Sequence, residues 1–284
     1  MSIRDFLAQA TAELHTAGIE SARLDVLLLL EAELGRDRTN LLAHSEDEIS
    51  PASLYSLNKK CVQRKMHLPL AYTLGNAFFY GYAFYVNEHV LVPRPESEAI
   101  ISLLLKEVGP LPSPRILDVG AGSGCLGITA ALEVANATVL LRDISREALA
   151  VARKNTERYQ DKVVGRITLE QADLLAGLSA VQYLDAIVAN LPYVPTDYPV
   201  NAAARHEPAA ALFAGDDGMD LYRRFWQQIV ASHHNRDSSS TSPVVITEAL
   251  ESQHTAMVKL ATAAGYQLSQ TQGLAQLFTP TPAR

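Results

Sequence analysis

A chain of 284 residues with 48% apolar side chains is long enough to bury more than one core. Its 24 basic and 31 acidic residues leave a formal net charge of -7, which argues against attachment to nucleic acid by bulk electrostatics. Cys61 and Cys125 supply neither a disulfide framework nor a zinc-ligand spacing, so a reducing compartment is favoured and no metal site is expected. The apolar run from Val26 to Leu30 is too short to cross a bilayer, and the first residues lack the composition of a signal or transit peptide. A soluble, cytoplasmic chain that binds no membrane is expected.

Residues 1–73 are predicted to form a small helical domain. Phe6, Ala10 and Leu14 fall at helical spacing, as do Leu24, Leu27, Leu28 and Leu34, and Gly18 and Gly35 close two of these stretches. Ser50-Pro51 reads as an N-cap followed by proline at the first helical position. No catalytic signature occurs here, and a docking module is the expected role. Residues 74–98 are predicted to form a β-hairpin linker, because Phe78, Phe79, Tyr80, Tyr82, Phe84 and Tyr85 surround Gly81 and the stretch Val86 to Val90 supplies a turn. The aromatic set is expected to pack the hairpin. Arg94, between two prolines, is expected to order the hairpin or to meet an acidic group.

Residues 99–284 are predicted to form an α/β domain. Apolar strands are expected at 115–120, 137–143, 166–173, 184–190 and 243–249, and helices at 125–135, 146–159, 221–232 and 253–265. Strands without polar alternation, separated by helices, indicate a mostly parallel sheet covered on both faces. Residues 235–243 read as a solvated loop, and the adjoining His233-His234 pair is not expected to bind metal.

Gly120, Gly122 and Gly124 follow the first of these strands directly and open a helix. Glycines there let the backbone turn sharply beneath a ligand, and the helix N-terminus offers free amide donors. Gly122, Gly124 and Gly127 also match the dinucleotide fingerprint, a weak signal alone. Asp118 discriminates: a carboxylate is unwelcome beside a pyrophosphate but suits the ammonium group of an amino-acid ligand. Asp143, ending the second strand, is placed to accept two ribose hydroxyls of either NAD or S-adenosylmethionine. Asp173, after the third strand, is placed to meet an adenine amino group.

The fourth strand breaks into Asn190-Leu191-Pro192-Tyr193 at the sheet edge where open α/β folds bind ligands. A nitrogen conjugated to a carbonyl or ring is a poor nucleophile because its lone pair is delocalised. Methylating it requires acceptors for both N–H bonds, and the Asn190 side-chain oxygen and the Leu191 main-chain carbonyl are the candidates. Tyr193 is expected to cover the flat group and Pro192 to stiffen the turn.

Several stretches then point one way: "GIESARLDVLLLL", "PLAYTLGNAFFYGYAFYVNEHVLVPRPESE", "LDVGAGSGCLGI", "RDISREALAVARKN", the Asn-x-Pro-Tyr turn and "HEPAAALFAGDDGMDLYRRF". In this order they resemble the protein-(glutamine-N5) methyltransferases of class I peptide-chain release factors, the HemK/PrmC family. The resemblance implies a helical N-terminal domain that helps dock the release factor and a Rossmann-like class I methyltransferase domain that binds S-adenosylmethionine. It implies that Gly120, Ala121, Gly122, Ser123, Gly124 and Asp143 hold the cofactor, with Asp173 and Leu174 near the adenine. Asn190, Leu191, Pro192 and Tyr193 would hold the glutamine of a Gly-Gly-Gln loop, with Asn190 also beside the cofactor and Arg94 near the substrate. A monomer is the implied state.

Leu191 stands where that family has proline, Ser97 where it has threonine, and Leu250 where it usually has glycine, although Glu248 and Gln253 are kept. The segment around Gly273 lacks the family's usual aspartate and arginine. Leu191 is expected to push a bulkier side chain in beside the substrate. These departures keep open an acceptor other than glutamine, such as a planar nitrogen of a small metabolite or nucleic-acid base, or a binder that has lost activity. A nicotinamide-dependent oxidoreductase is the remaining reading, and it leaves Asp118 and the Asn190 turn without a task.

Overall fold

The computed structural model describes residues 1–178, 181–233 and 242–282. Most of the loop expected at 235–243, together with His234, lies outside the described residues. The chain forms two compact units, residues 1–76 with 200–206, and residues 77–199 with 207–284.

The first unit contains helices α1 (Ile3–Thr16), α2 (Ala22–Leu34), α3 (Arg38–Ala43), α4 (Pro51–Lys65) and α5 (Leu70–Leu74). Ser2 caps α1 by accepting from the Asp5 N–H at 3.1 Å, and Ser50 caps α4 in the same way with Ser53 at 3.1 Å. Gly35 ends α2 at φ 63°, a conformation that favours glycine. The expected apolar stripe of α2 is rotated. Ala22, Val26, Leu27, Leu29 and Leu30 are buried, whereas Leu24 is exposed. The rotation also carries Asp25 inside, where its Oδ2 accepts from Arg64 Nε and Nη2 at 3.0 and 2.8 Å.

The second unit opens with a two-stranded hairpin, β1 (Ala77–Phe79) and β2 (Tyr82–Phe84), turned at Tyr80-Gly81 with φ of 51° and 78°. The predicted hairpin was longer. It stops because the Asn155 side chain takes both main-chain groups of Tyr85, accepting from its N–H at 2.7 Å and donating to its carbonyl at 2.9 Å. The stretch at Val86 to Val90 makes a separate turn, closed by Val90 N–H on Asn87 O at 3.2 Å. Phe79 and Phe84 are buried as expected of a packed hairpin, but Phe78 is 74% exposed.

Helix α6 (Glu98–Val108) follows and was not anticipated, although Ile100, Ile101, Leu104 and Val108 supply a helical stripe. The sheet then forms from β3 (Arg115–Val119), β4 (Thr138–Asp143), β5 (Ile167–Gln171), β6 (Ala186–Ala189), β7 (Val244–Glu248), β8 (Tyr266–Gln272) and β9 (Ala275–Pro280). Between them run α7 (Cys125–Glu133), α8 (Arg146–Arg158), α9 (Gln160–Val163), α10 (Ala209–Leu212), α11 (Asp220–His233) and α12 (His254–Ala263). The strand order is β5-β4-β3-β6-β7-β9-β8, with the first five strands parallel and β9 antiparallel to both β7 and β8. The five predicted strands are present. The two antiparallel strands were missed because β8, a solvent-facing edge rich in glutamine, reads as loop.

The pleat sends successive side chains to opposite faces. Ile116, Val139, Leu141, Ala186, Val188 and Ile246 pack with α6 and α7. Leu117, Val119, Ile187, Ala189 and Val245 pack with Tyr222, Phe225, Trp226 and Met257 of α11 and α12. Helix α7 lies so close to the first face that a methyl at Gly127 would sit 2.3 Å from Leu141 Cδ2 and 2.9 Å from Val139 Cγ1. Gly127 is therefore a packing residue. Gly127→Ala is expected to destabilise the fold by roughly 1–3 kcal/mol in chemical denaturation, whereas an unchanged midpoint would show that α7 is not seated this tightly.

Candidate active site

Strand order reverses at β3, whose neighbours β4 and β6 lead away in opposite directions, and open α/β sheets bind ligands past the strand ends at such a point. Two loops meet there. The glycine loop after β3 has φ of 72° at Gly120, 55° at Gly122 and 79° at Gly124, and is held by Gly120 and Ala121 N–H groups on the Arg142 carbonyl at 2.8 and 3.0 Å. The Asn190 turn after β6 lies against it, since a methyl at Gly120 would be 2.9 Å from Leu191 Cδ2.

Strand parity explains where each side chain goes. Asp118 shares a face with Ile116, Asn190 continues the row of Ala186 and Val188, and Glu248 continues that of Val244 and Ile246. Residues 189 and 247 are paired across β6 and β7, so Asn190 and Glu248 lie one step further on the same face. Leu191 has the opposite parity. Its side chain is 2% exposed and packs in the α11 layer. The expectation that it would crowd the substrate is therefore corrected: it is turned into the core. Its N–H, which a proline would lack, donates to Tyr222 Oη at 3.3 Å.

Asn190 donates from Nδ2 to Ser97 Oγ at 2.9 Å, an anchor just before α6. Tyr193 Oη donates to Glu248 Oε1 at 2.9 Å, and the Tyr193 carbonyl accepts from Gln253 Nε2 at 2.7 Å. The same Gln253 amide reaches the Asp217 carbonyl at 2.8 Å, and Gly218 packs so closely that any side chain there would strike the Tyr193 carbonyl. Burial and the adjacent Glu248 push the Tyr193 phenol up, so it stays a donor. Pro192 lies half-buried between these anchored residues.

Asp118 is wholly buried. Its Oδ2 accepts from the Gly127 N–H at 2.8 Å, while Oδ1 has no hydrogen-bond partner among the described residues. Burial raises its carboxyl to about 7, against the pull of the Gly127 amide and with the aid of the Asp143 charge. Asp143 accepts from Gly122 N–H and Ser145 N–H at 2.9 Å each, which leaves further lone pairs on both oxygens, and burial lifts its carboxyl as well. Asp173 is half-exposed and accepts from Arg224 Nη2 at 2.5 Å. Leu174 is buried at φ 53°, and its carbonyl accepts from Arg142 Nη1 at 3.0 Å.

Arg94 meets an acidic group, the second of its two expected roles. Its Nη2 donates to Glu207 Oε1 at 2.5 Å, and the other Glu207 oxygen accepts from the Val92 N–H at 2.9 Å. Other residues were not foreseen. Arg142, 1% exposed, clamps the Leu174 loop and also donates to Ala176 O at 2.7 Å. Asn155 holds the Ser123 carbonyl at 2.9 Å. Tyr222 Oη lies 2.6 and 2.9 Å from the Glu248 and Ala189 carbonyls. Period-two counting along β6 and β7 would have flagged Glu248; nothing local marks the others. Among the described residues no group of three or more His, Cys, Asp or Glu is placed to hold a metal ion, and no helix is long and apolar enough to cross a membrane.

A glycine cradle at the switch point, an orphaned buried carboxylate oxygen and an anchored Asn-x-Pro-Tyr turn, on a parallel sheet finished by an antiparallel pair, define a class I methyltransferase, whose methyl donor is S-adenosylmethionine. The hMettl16 catalytic domain in complex with a 3'UTR hairpin shares this fold at a TM-score of 0.53 and 13% identity, covering 90% of this chain and 91% of that one. Residues 5–75 match the PrmC N-terminal domain and residues 97–207 the Methyltransferase small domain. The release factor glutamine methyltransferase of Deinococcus radiodurans is 38% identical over 225 residues, covering 78% of this chain and 79% of that protein. That of Bacillus subtilis is 36% identical over 236 residues, covering 80% of each. The chain belongs to the release factor glutamine methyltransferase family.

The raised Asp118 carboxyl has a consequence for the cofactor-free protein. The folded state holds this proton more tightly than an unfolded aspartate, so the contribution of Asp118 to stability is full below about pH 4 and is lost as pH rises toward 7. In thermal melts, Asp118→Asn is expected to flatten the fall in Tm over that window; melts of the two proteins that run parallel would contradict it.

Proposed function

We propose that this chain methylates the side-chain amide nitrogen of the glutamine in the Gly-Gly-Gln loop of class I peptide-chain release factors. Family membership supports the reaction, and one observation supports the acceptor. Ser97 engages the Asn190 Nδ2 at 2.9 Å, which leaves Oδ1 as the face of the carboxamide available to an incoming N–H. An amide substrate has two such N–H bonds, and the Leu191 main-chain carbonyl is the second acceptor. Held at both, the amide keeps its plane fixed and its lone-pair direction set.

S-adenosylmethionine supplies a methyl group made electrophilic by its sulfonium. The glycine loop from Gly120 to Gly124 would hold it, with Asp118 Oδ1 as the carboxylate oxygen left for an ammonium group and Asp143 for ribose hydroxyls. Asp173 would serve the adenine edge beside Leu174, sharing its charge with Arg224. Tyr193, tethered to Glu248, would lie as a lid over the substrate amide, and Pro192 would limit the turn. No side chain at the turn stands as an obvious general base, so the proton lost from the methylated nitrogen would pass to water or to a carbonyl. Arg94 supports this site indirectly, by fixing the segment before Ser97 to Glu207. A cytoplasmic monomer is the state proposed with this activity, and the free Cys61 and Cys125 suit such a reducing compartment.

The inward turn of Leu191 favours glutamine over a remodelled acceptor, because the difference from proline is absorbed by the core. Incubation with release factor and labelled S-adenosylmethionine should add one methyl to the Gly-Gly-Gln peptide, read by mass spectrometry. Asn190→Ala should lower that transfer at least 100-fold while calorimetry shows S-adenosylhomocysteine affinity within about threefold, a loss on the order of the 2.7–4 kcal/mol typical of removing one positioned transition-state partner. An unmodified peptide with the parent chain would move the acceptor to another planar nitrogen.

A further inference from the structure

Glu248 ends β7 with 1% of its surface exposed, on the same sheet face as Asn190. Its Oε1 accepts from Tyr193 Oη at 2.9 Å, and its Oε2 is buried with no hydrogen-bond partner among the described residues. Burial raises the Glu248 carboxyl, while the neighbouring Ser97, Tyr193 and Asn190 side chains favour its ionised form. Ser97 Oγ in turn accepts from Asn190 Nδ2 at 2.9 Å. We propose that Glu248 is a positioning residue: through Ser97 it decides which atom of the Asn190 carboxamide is presented to the substrate amide.

An ionised carboxylate only accepts, so Ser97 must give it its single proton. Ser97 can then only accept from Asn190, which fixes Nδ2 inward and Oδ1 outward. A neutral side chain at 248 can donate to Ser97, whose own proton is then free for Asn190 Oδ1. The carboxamide turns over and offers Nδ2, a donor facing the donors of the substrate. The groups that bear on the carboxylate are Glu96 from the turn before α6, Tyr193 beyond β6 and Tyr222 of α11, together with Asn190 and Ser97. Burial, joined by the Glu96 charge, lifts the Glu248 carboxyl above the ordinary range, so acid reverses the polarity of the relay at a higher pH than an exposed glutamate would allow.

This inference rests on the reading that the substrate nitrogen brings N–H bonds to Asn190, and its test has an arm that needs no substrate. Isotope-labelled chain should show an Asn190 side-chain NH2 resonance that shifts on acidification and no longer shifts in Glu248→Gln. With release factor, Glu248→Gln and Ser97→Ala should each lower kcat/KM by 10- to 100-fold with S-adenosylhomocysteine affinity within threefold. The double variant should be no slower than the slower single one, and Ser97→Thr should recover most of what Ser97→Ala loses. The acid limb of the parent pH profile should vanish in Glu248→Gln. An Asn190 resonance that titrates equally in both proteins, or losses that multiply in the double variant, would overturn the relay. If Glu248→Gln does not fold, the Ser97→Ala and Ser97→Thr pair decides, because equal activity of the two excludes a hydroxyl link. A parent chain inactive on release factor would sink the proposed acceptor, while the resonance arm would still judge the relay.

Discussion

The bond from Asn190 to Ser97 carries the rest of the site. A carboxamide at the end of a strand is ambiguous, because it presents an acceptor or a donor according to a half-turn that costs little by itself. Here Nδ2 rests on Ser97 Oγ at 2.9 Å, and Ser97 sits just before α6 at a position fixed by other means. The next residue, Glu98, accepts the Tyr80 N–H of the hairpin turn at 2.8 Å, and the preceding Arg94 is tied to Glu207. The hairpin and the helix after it therefore serve as brackets for one amide.

The other side of the site is held in the same way, by buried polar groups that reach the main chain of loops. Arg142 is nearly sealed from solvent yet spends its guanidinium on the Leu174 and Ala176 carbonyls. Asn155, also sealed, joins the Ser123 carbonyl to both main-chain groups of Tyr85. Burying such groups costs free energy unless their hydrogen bonds are formed, so each loop is held in the one arrangement that forms them. Leu174, held at a positive φ, shows that the arrangement overrides local backbone preference.

How much of this could be read from the sequence follows from how local each signal is. The five parallel strands were legible because buried strands write apolar runs, and the glycine loop because a tight turn at a strand end needs glycine. The Asn190 turn was legible as the break that ends the fourth strand, but the direction of Leu191 was misjudged. Counting by twos from Ile187 and Ala189 places it on the α11 face, where it is found. Strands β8 and β9 and helix α6 were overlooked, the first because an exposed edge strand is polar. Asn155, Arg142, Glu207 and Tyr222 act across separations of more than 20 residues, and no spacing rule connects them to their partners.

The proposed chemistry depends on the face that Asn190 shows to the reacting nitrogen. A crystal structure of the chain with S-adenosylhomocysteine and a Gly-Gly-Gln peptide tests it most directly. The expected result has Asn190 Nδ2 on Ser97, Asn190 Oδ1 and the Leu191 carbonyl each on one N–H of the glutamine, and the adenosine over the glycine loop past Val119. A glutamine seated away from Asn190, or a cofactor bound elsewhere than the end of β3, would contradict it.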